Sequence, residues 1–242
     1  MGEILLIRHG ETAWNREAIF RGRADIPLSA RGREQARLLG EALSSQPVRA
    51  VYSHPLRAVY SQPLRALSSQ PVRALSLHPL RAVYASPLSR ARETAAPLAE
   101  GLGLEVVAEP RLIDMSFGEW EGKPLDEVRG TWPSLYRAWL AEPQTFRAPG
   151  GESLEEVLGR ALPAMTEIAA RHEGAAALVS HRVVCKALLC AALGAGAAGF
   201  WRVQVDTASV SLLKHTRDGW VVLRTNDTHH LEALAGSPEA DF

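Results

Sequence analysis

Arg8, His9 and Gly10 follow directly on the apolar run Ile4-Leu5-Leu6-Ile7. A short apolar run ending in such a triplet reads as a buried strand that empties into a loop, and strand ends are where α/β sheets usually place their sites. Side chains of these types could carry phosphoryl transfer. That chemistry needs a nucleophile, positive groups around the phosphate oxygens and an acid for the leaving oxygen. The triplet supplies the first two side by side. A neutral imidazole attacks phosphorus when its second nitrogen keeps the proton, so a hydrogen bond must fix the tautomer. Gly10 would let the backbone approach the phosphate closely. An Arg-His-Gly triplet alone is a weak signal, because three residues recur by chance.

The elements that must position such a site are legible in the pattern. Gly32 to Ser44 has helical periodicity, with Ala36, Leu39 and Leu43 on one face. Leu88 to Gly101 reads as a second helix, with Ser86 as N-cap, Pro87 in the first turn and Gly101 at the stop. Leu104 to Val107 reads as a short strand. Ser153 to His172 is a long helix that opens on a capping box, Ser153-Leu154-Glu155-Glu156. Ala175 to Ser180 is an apolar strand that stops at His181, and Val183 to Leu193 is the next helix. Val203 to Val205, Ser209 to His215 and Trp220 to Arg224 read as strands, the last two joined by a turn at Asp218-Gly219. Strands alternating with helices predict a three-layer α/β/α fold with a mostly parallel central sheet covered on both faces. Residues from about 110 to 150, richer in Trp, Pro and Gly, predict a small helical and loop cap. Trp120, Trp132 and Trp139 could line the mouth of a site, but read more readily as core of that cap. The chain, 1–242, reads as a single domain.

One stretch differs from the rest. From Ser45 the chain repeats every eight residues: SQPVRAVY, SHPLRAVY, SQPLRALS, SQPVRALS, LHPLRAVY. A proline in every copy forbids a continuous helix, and an even period suits short extended pieces separated by turns. Each copy supplies one arginine (Arg49, Arg57, Arg65, Arg73, Arg81), and no acidic residue occurs between Glu41 and Glu93. Two readings follow: a surface for a polyanion or partner, or a tandem expansion at a strand-to-helix junction, which loops accept at small entropic cost. The second is preferred, as an insertion over about 45–76.

Composition narrows the classes. Lys+Arg and Asp+Glu both number 27, for a formal net charge of zero. A dedicated nucleic-acid binder normally carries a basic excess, so no nucleic acid is expected as a partner. No apolar run approaches the roughly 20 residues of a membrane span, and no membrane partner is expected. Cys185 and Cys190, five residues apart on one helix, point in different directions, so an internal disulfide is not expected. A reducing cytoplasm is the simplest home. His229-His230 invites a metal reading, but further ligands at usual spacing are lacking in the sequence, so neither metal nor cofactor is expected.

Context strengthens the triplet. Leu6-Ile7-Arg8-His9-Gly10-Glu11-Thr12-Ala13-Trp14-Asn15 resembles the opening of the histidine phosphatase superfamily, the phosphoglycerate-mutase-like fold. The resemblance continues through Gly22, Asp25, Pro27-Leu28-Ser29 and Gly32 to Ala36, and resumes from Tyr84 to Ala95. It extends through Leu112 to Gly122, Pro149 to Ser153 and Val179-Ser180-His181. These blocks stand in the family's order and cover nearly the whole chain except the octads. The resemblance implies His9 as nucleophile, Arg8 and Arg90 as arginines of a phosphate pocket, and His181 as a second histidine holding a phosphate oxygen. It implies Asn15 as a further phosphate contact and Asp114 as the acid, where the family more commonly has Glu. Glu119 and Glu121 stay open as alternatives for the acid.

The expected activity is hydrolysis of a small phosphomonoester through a phosphohistidine. The chain is similar to broad-specificity and metal-independent phosphoserine phosphatases, the latter through Gly150-Gly151-Glu152-Ser153 and Asp206-Thr207-Ala208-Ser209. A cofactor-dependent phosphoglycerate mutase would share the pocket. Its branch shows a Glu-Arg-His-Tyr-Gly type block where this chain has Asp114-Met115-Ser116-Phe117-Gly118, which favours the phosphatase. A third possibility is a non-catalytic protein that senses phosphate. The oligomeric state stays open, a homodimer included.

Overall fold

The computed structural model describes residues 2–44 and 78–234. Among the described residues six strands form one sheet: β1 (Glu3–Arg8), β2 (Leu80–Ala85), β3 (Val106–Ala108), β4 (Ala175–Ser180), β5 (Val210–Thr216) and β6 (Gly219–Asp227). Their order is β3-β2-β4-β1-β5-β6. β1 and β4 are buried along their whole lengths, as strands covered on both faces must be, and both therefore read as apolar runs.

Seven α-helices accompany the sheet among the described residues: α1 (Ala13–Arg16), α2 (Ala30–Ser44), α3 (Ser89–Leu102), α4 (Leu125–Thr131), α5 (Pro133–Ala141), α6 (Leu154–Arg171) and α7 (Arg182–Ala192). Alternation along β1 and β4 divides the core into two layers. Leu5, Ile7, Ala177 and Val179 pack with Leu39, Ala91, Ala95 and Leu98 of α2 and α3. Ile4, Leu6, Ala176 and Leu178 pack with Val157, Met165, Val184 and Leu188 of α6 and α7. The capping box is present: Ser153 Oγ accepts from the Glu156 amide at 3.3 Å, and Glu156 accepts from the Ser153 amide at 2.9 Å.

The sheet is mixed, which corrects the expectation of a mostly parallel one. β3, β2, β4 and β1 run parallel, while β5 lies antiparallel to β1 and β6 antiparallel to β5. Only Arg217 and Asp218 separate β5 from β6, and a two-residue turn can join only antiparallel strands. Val203 to Val205 forms no strand. The Val205 carbonyl accepts instead from Arg8 Nη1 at 2.8 Å, so it is spent on a side chain. Ser86 does not cap α3, whose N-cap is Leu88. The helix stops at Gly103, not Gly101, because Gly103 takes the left-handed conformation at φ 65° that a glycine reaches without strain.

Between β3 and α6 the chain forms 3₁₀ turns at Pro110–Leu112 and Gly118–Trp120, then α4 and α5. Trp120, Trp139 and Phe146 are buried there against Phe20, Phe117 and Phe200, with edge and tilted ring contacts at 4.8–5.7 Å. The first four octads, 45–76, lie outside the described residues. The fifth supplies Arg81-Ala82-Val83-Tyr84 to β2.

Candidate active site

Three strand ends converge. Arg8 and Ser180 are register partners at the ends of β1 and β4, as are Ala85 and Val179 in β2 and β4. The residues that leave the sheet there are therefore neighbours: His9, His181 and Ser86. The two imidazoles lie with centroids 5.2 Å apart. α3 follows β2 directly and brings Arg90 beneath them.

His9 is fixed by its own loop. Its Nδ1 lies 2.7 Å from the Gly10 carbonyl oxygen. A carbonyl only accepts, so Nδ1 carries the proton and Nε2 keeps a lone pair. Burial, then the positive charges of Arg90, Arg8 and Arg21, hold the His9 pKa well below 6.5, so the ring is neutral at neutral pH. Gly10 serves a packing need: a Cβ there would stand 2.7 Å from the Gly32 carbonyl at the start of α2. Its amide donates to Thr94 Oγ1 at 2.9 Å.

Arg8 and Arg90 are both wholly buried. Arg90 donates from Nη1 to the Ala24 carbonyl (2.7 Å), from Nη2 to the Gly22 carbonyl (2.8 Å) and to Asp114 Oδ2 (3.2 Å), and from Nε to His181 Nδ1 (3.2 Å). That last bond makes His181 Nδ1 an acceptor, so its proton sits on Nε2, 2.7 Å from Ser86 Oγ. Burial and the charge of Arg90 keep His181 neutral too. In this arrangement both nitrogens of His181 are engaged with protein groups.

Asp114 is 6% exposed. Its Oδ1 accepts from the Met115 amide at 2.9 Å, and its Oδ2 is 3.6 Å from His181 Nδ1. Burial raises its pKa, and the charges of Arg90 and Arg21 oppose the rise without cancelling it. Of the two alternative acids, Glu119 is exposed. Glu121 Oε1 accepts from Ser116 Oγ (3.0 Å) and the Phe117 amide (2.9 Å), which ties it to the turn. Asn15 is buried; its Oδ1 accepts from the Thr12 amide and hydroxyl, each at 2.8 Å, and its Nδ2 has no hydrogen-bond partner among the described residues.

A cleft enclosing about 420 Å³, its open mouth included, reaches this cluster. Asp114 and Gly22 form part of its wall with Arg21 and Arg182; Ile19, Phe20, Phe117, Trp139, Val183 and Phe200 complete it. His9, Arg8, Arg90 and His181 are not among its lining residues and are at 1% exposure or less. Arg21 and Arg182 were not singled out by sequence. Each adjoins a residue that was: Arg21 precedes Gly22 and Arg182 follows His181.

The family model described as "Histidine phosphatase superfamily (branch 1)" matches residues 4–63 and 64–228. Phosphoserine phosphatase 1 of Hydrogenobacter thermophilus is 32% identical over 232 residues, 96% of this chain and 95% of that protein. A protein of Serratia proteamaculans named "Probable phosphoglycerate mutase GpmB" is 28% identical, covering 97% of each chain. Among solved structures, a mycobacterial glucosyl-3-phosphoglycerate phosphatase complexed with VO3 superposes with a TM-score of 0.74. It is 26% identical over 94% of this chain and 100% of that one.

Proposed function

This chain belongs to the histidine phosphatase superfamily, branch 1, and from that premise we infer how its buried cluster works. It is a phosphoric monoester hydrolase acting on small phosphorylated metabolites. The observation that carries the mechanism is the 2.7 Å bond from His9 Nδ1 to the Gly10 carbonyl. It leaves a lone pair on Nε2 of a neutral ring set among buried arginines.

In our reading, Nε2 attacks phosphorus and the P–O bond to the leaving group breaks, its electron pair passing to that oxygen. Arg8 and Arg90 meet the charge spread over the other phosphate oxygens, for which a planar guanidinium fork is suited. Asn15 Nδ2 adds a donor. Asp114, whose pKa burial raises, gives its proton to the leaving oxygen from its acid form. The resulting carboxylate then takes a proton from water as the water oxygen attacks the phosphohistidine. The P–N bond breaks, its electrons return to Nε2, and inorganic phosphate leaves. His181 first holds Arg90 through Nδ1. An incoming phosphate anion favours its protonated form, in which Nδ1–H becomes a donor to a phosphate oxygen.

We take 1–242 as one catalytic domain, because the sheet draws strands from Glu3 to Asp227. A reducing, cytoplasmic compartment fits two buried free cysteines. Among the described residues no helix is long and apolar enough to cross a membrane.

Rapid quench with labelled phosphomonoester tests the scheme. It should trap acid-labile, base-stable phosphate on the wild-type chain and none on His9→Ala. Label trapped on another residue, or normal turnover by His9→Ala, would remove His9 as the nucleophile.

A further inference from the structure

Ser86 is wholly buried and follows directly on β2. Its amide donates to the Val179 carbonyl at 2.9 Å, which ties it to the end of β4. Its Oγ accepts from the Leu88 amide at 3.4 Å. These contacts hold the hydroxyl where the strand ends meet, 2.7 Å from His181 Nε2. The direction of that last bond follows from the far side of the ring. Arg90 Nε, which only donates, is 3.2 Å from His181 Nδ1, so Nδ1 accepts and Nε2 carries the proton. Ser86 Oγ is therefore the acceptor of Nε2–H. The charged and titratable groups that face the ring are Arg90 from α3, His9 from the end of β1 and Asp114, with Arg21 and Arg160 beyond them. The three arginines oppose a proton on Nδ1, and Asp114 acts from its acid form in the scheme above.

A buried N–H without an acceptor bears the full cost of its desolvation. A hydroxyl oxygen takes Nε2–H from the neutral ring and from the imidazolium alike, and a hydrogen bond to the charged form favours it. The ring can then gain a proton on Nδ1 with nothing altered at Nε2. We propose that Ser86 is the positioning residue that fixes His181 in its Nε2–H tautomer, so that Nδ1 alone changes role, from acceptor of Arg90 in the resting site to donor to a phosphate oxygen in the loaded one. The added proton is taken up from solvent. Arg90 Nε–H, released from the ring, turns to the phosphate. This rests on the phosphatase reading above.

Side-chain nitrogen NMR spectra of the full chain, with His181 assigned through His181→Gln, read the tautomer directly. The resting wild type should show a bare Nδ1 and a protonated Nε2, and both nitrogens protonated once inorganic phosphate fills the site. Ser86→Ala should weaken inhibition by inorganic phosphate and lower kcat/KM on phosphomonoesters, each by about tenfold or more. Ser86→Cys offers only a weak sulfur acceptor in similar space and should behave like Ser86→Ala, whereas Ser86→Thr keeps the hydroxyl and should recover part of the loss. Label should still be trapped on His9 in all three. A resting His181 protonated on Nδ1, or a Ser86→Ala variant within about twofold of the parent on both measures, overturns the role of Ser86 and leaves the phosphatase standing. A Ser86→Cys variant as active as the parent overturns it too, because packing would then be what Ser86 supplies. The wild-type spectrum decides the matter even if the variants fail to fold. No hydrolysis of any phosphomonoester by the wild type would instead sink the phosphatase reading itself.

Discussion

Arg160 holds Asp114 by its backbone and leaves the carboxyl to the site: Arg160 Nη2 donates to the Asp114 carbonyl oxygen at 3.1 Å, while Asp114 Oδ2 accepts from Arg90 at 3.2 Å. Arg160 Nη1 also donates to the carbonyls of Arg111 (2.8 Å) and Ile113 (2.6 Å). Glu152 pairs with Arg160 through both oxygens at 3.1 and 3.0 Å and accepts from the Ser116 amide at 2.9 Å. The loop that presents Asp114 is thus bolted to α6 and to the Gly150-Gly151-Glu152-Ser153 segment.

If Asp114 is the acid, its loss is felt most where the departing alkoxide is basic. Asp114→Asn should slow alkyl phosphates by about 10²–10⁴-fold and a nitrophenyl phosphate much less. Arg160→Gln should show the same leaving-group bias, weaker, because it displaces the acid without removing it. Stopped assays on an alkyl and a nitrophenyl ester decide this. Equal losses on both esters for Asp114→Asn would move the acid elsewhere, with Glu121 and Glu119 next.

The pKa directions set the pH response. If His9 is the nucleophile and Asp114 the acid, activity needs His9 neutral and Asp114 protonated, and burial pushes His9 down and Asp114 up. kcat/KM on an alkyl phosphate should therefore fall as pH rises through the raised value of Asp114, and Asp114→Asn should lack that limb. Stability carries opposite signs for the two groups. His9 and His181 are buried neutral with lowered values, so their contribution is full above their ordinary 6.5 and is lost as pH falls below it. Asp114 acts the other way, losing its contribution as pH rises through its raised value. Two buried imidazoles should dominate on acidification below their ordinary 6.5, so Tm should drop as pH falls through and below that value. His9→Gln should flatten the drop; an identical slope in that variant would mean His9 does not titrate with unfolding.

What could be read from the sequence follows from how local each cause is. Ala175 to Ser180 was legible to the residue, because a strand buried on both faces is an uninterrupted apolar run, and that run ends at His181. The exit from β1 into His9 was legible for the same reason, since Ile4 to Ile7 is the other such run. Ser86 looked like a cap, but the end of β2 at Ala85 sets it beside His181, and its hydroxyl meets that ring. Val203 to Val205 had strand-forming residues, yet a buried arginine 197 positions away claims the Val205 carbonyl. The Arg160 clamp spans 46 to 49 positions to the loop it holds, and no periodicity announces a contact of that kind. Arg21 and Arg182 were missed because an arginine lining a cleft has the same local pattern as one in solvent.

Turnover should survive a chelator. In the proposed scheme the phosphate oxygens meet Arg8 and Arg90, both buried and fixed by carbonyls or side chains, and such guanidinium groups can stabilise the transferring group without a Lewis acid. Assay after dialysis against chelator should return the starting rate. Loss of activity that a divalent ion restores would refute this site chemistry.

The last prediction concerns the octads. α2 ends at Ser44 and β2 begins at Leu80. β2 runs into α3, which returns along the sheet and ends at Leu102, so the end of α3 lies toward the start of β2. Ser44 sits against that end: a Cβ on Gly101 would stand 2.5 Å from Ser44 Oγ. The chain therefore leaves α2 near where β2 must start. Deleting Ser45 to Ser76, four whole octads, leaves Leu77-His78-Pro79 to make the connection, which is within the usual two to six residues, roughly, of a helix-to-strand loop. The fifth copy, which supplies β2, and Arg90 behind it are retained. The deletion variant should be folded and should hydrolyse small phosphomonoesters with kcat/KM within about threefold of the parent, since distant changes of loop length cost little. Circular dichroism with steady-state kinetics checks both points. A folded deletion variant without activity would make the octads part of the site or its gate and would end the view of them as a tolerated expansion.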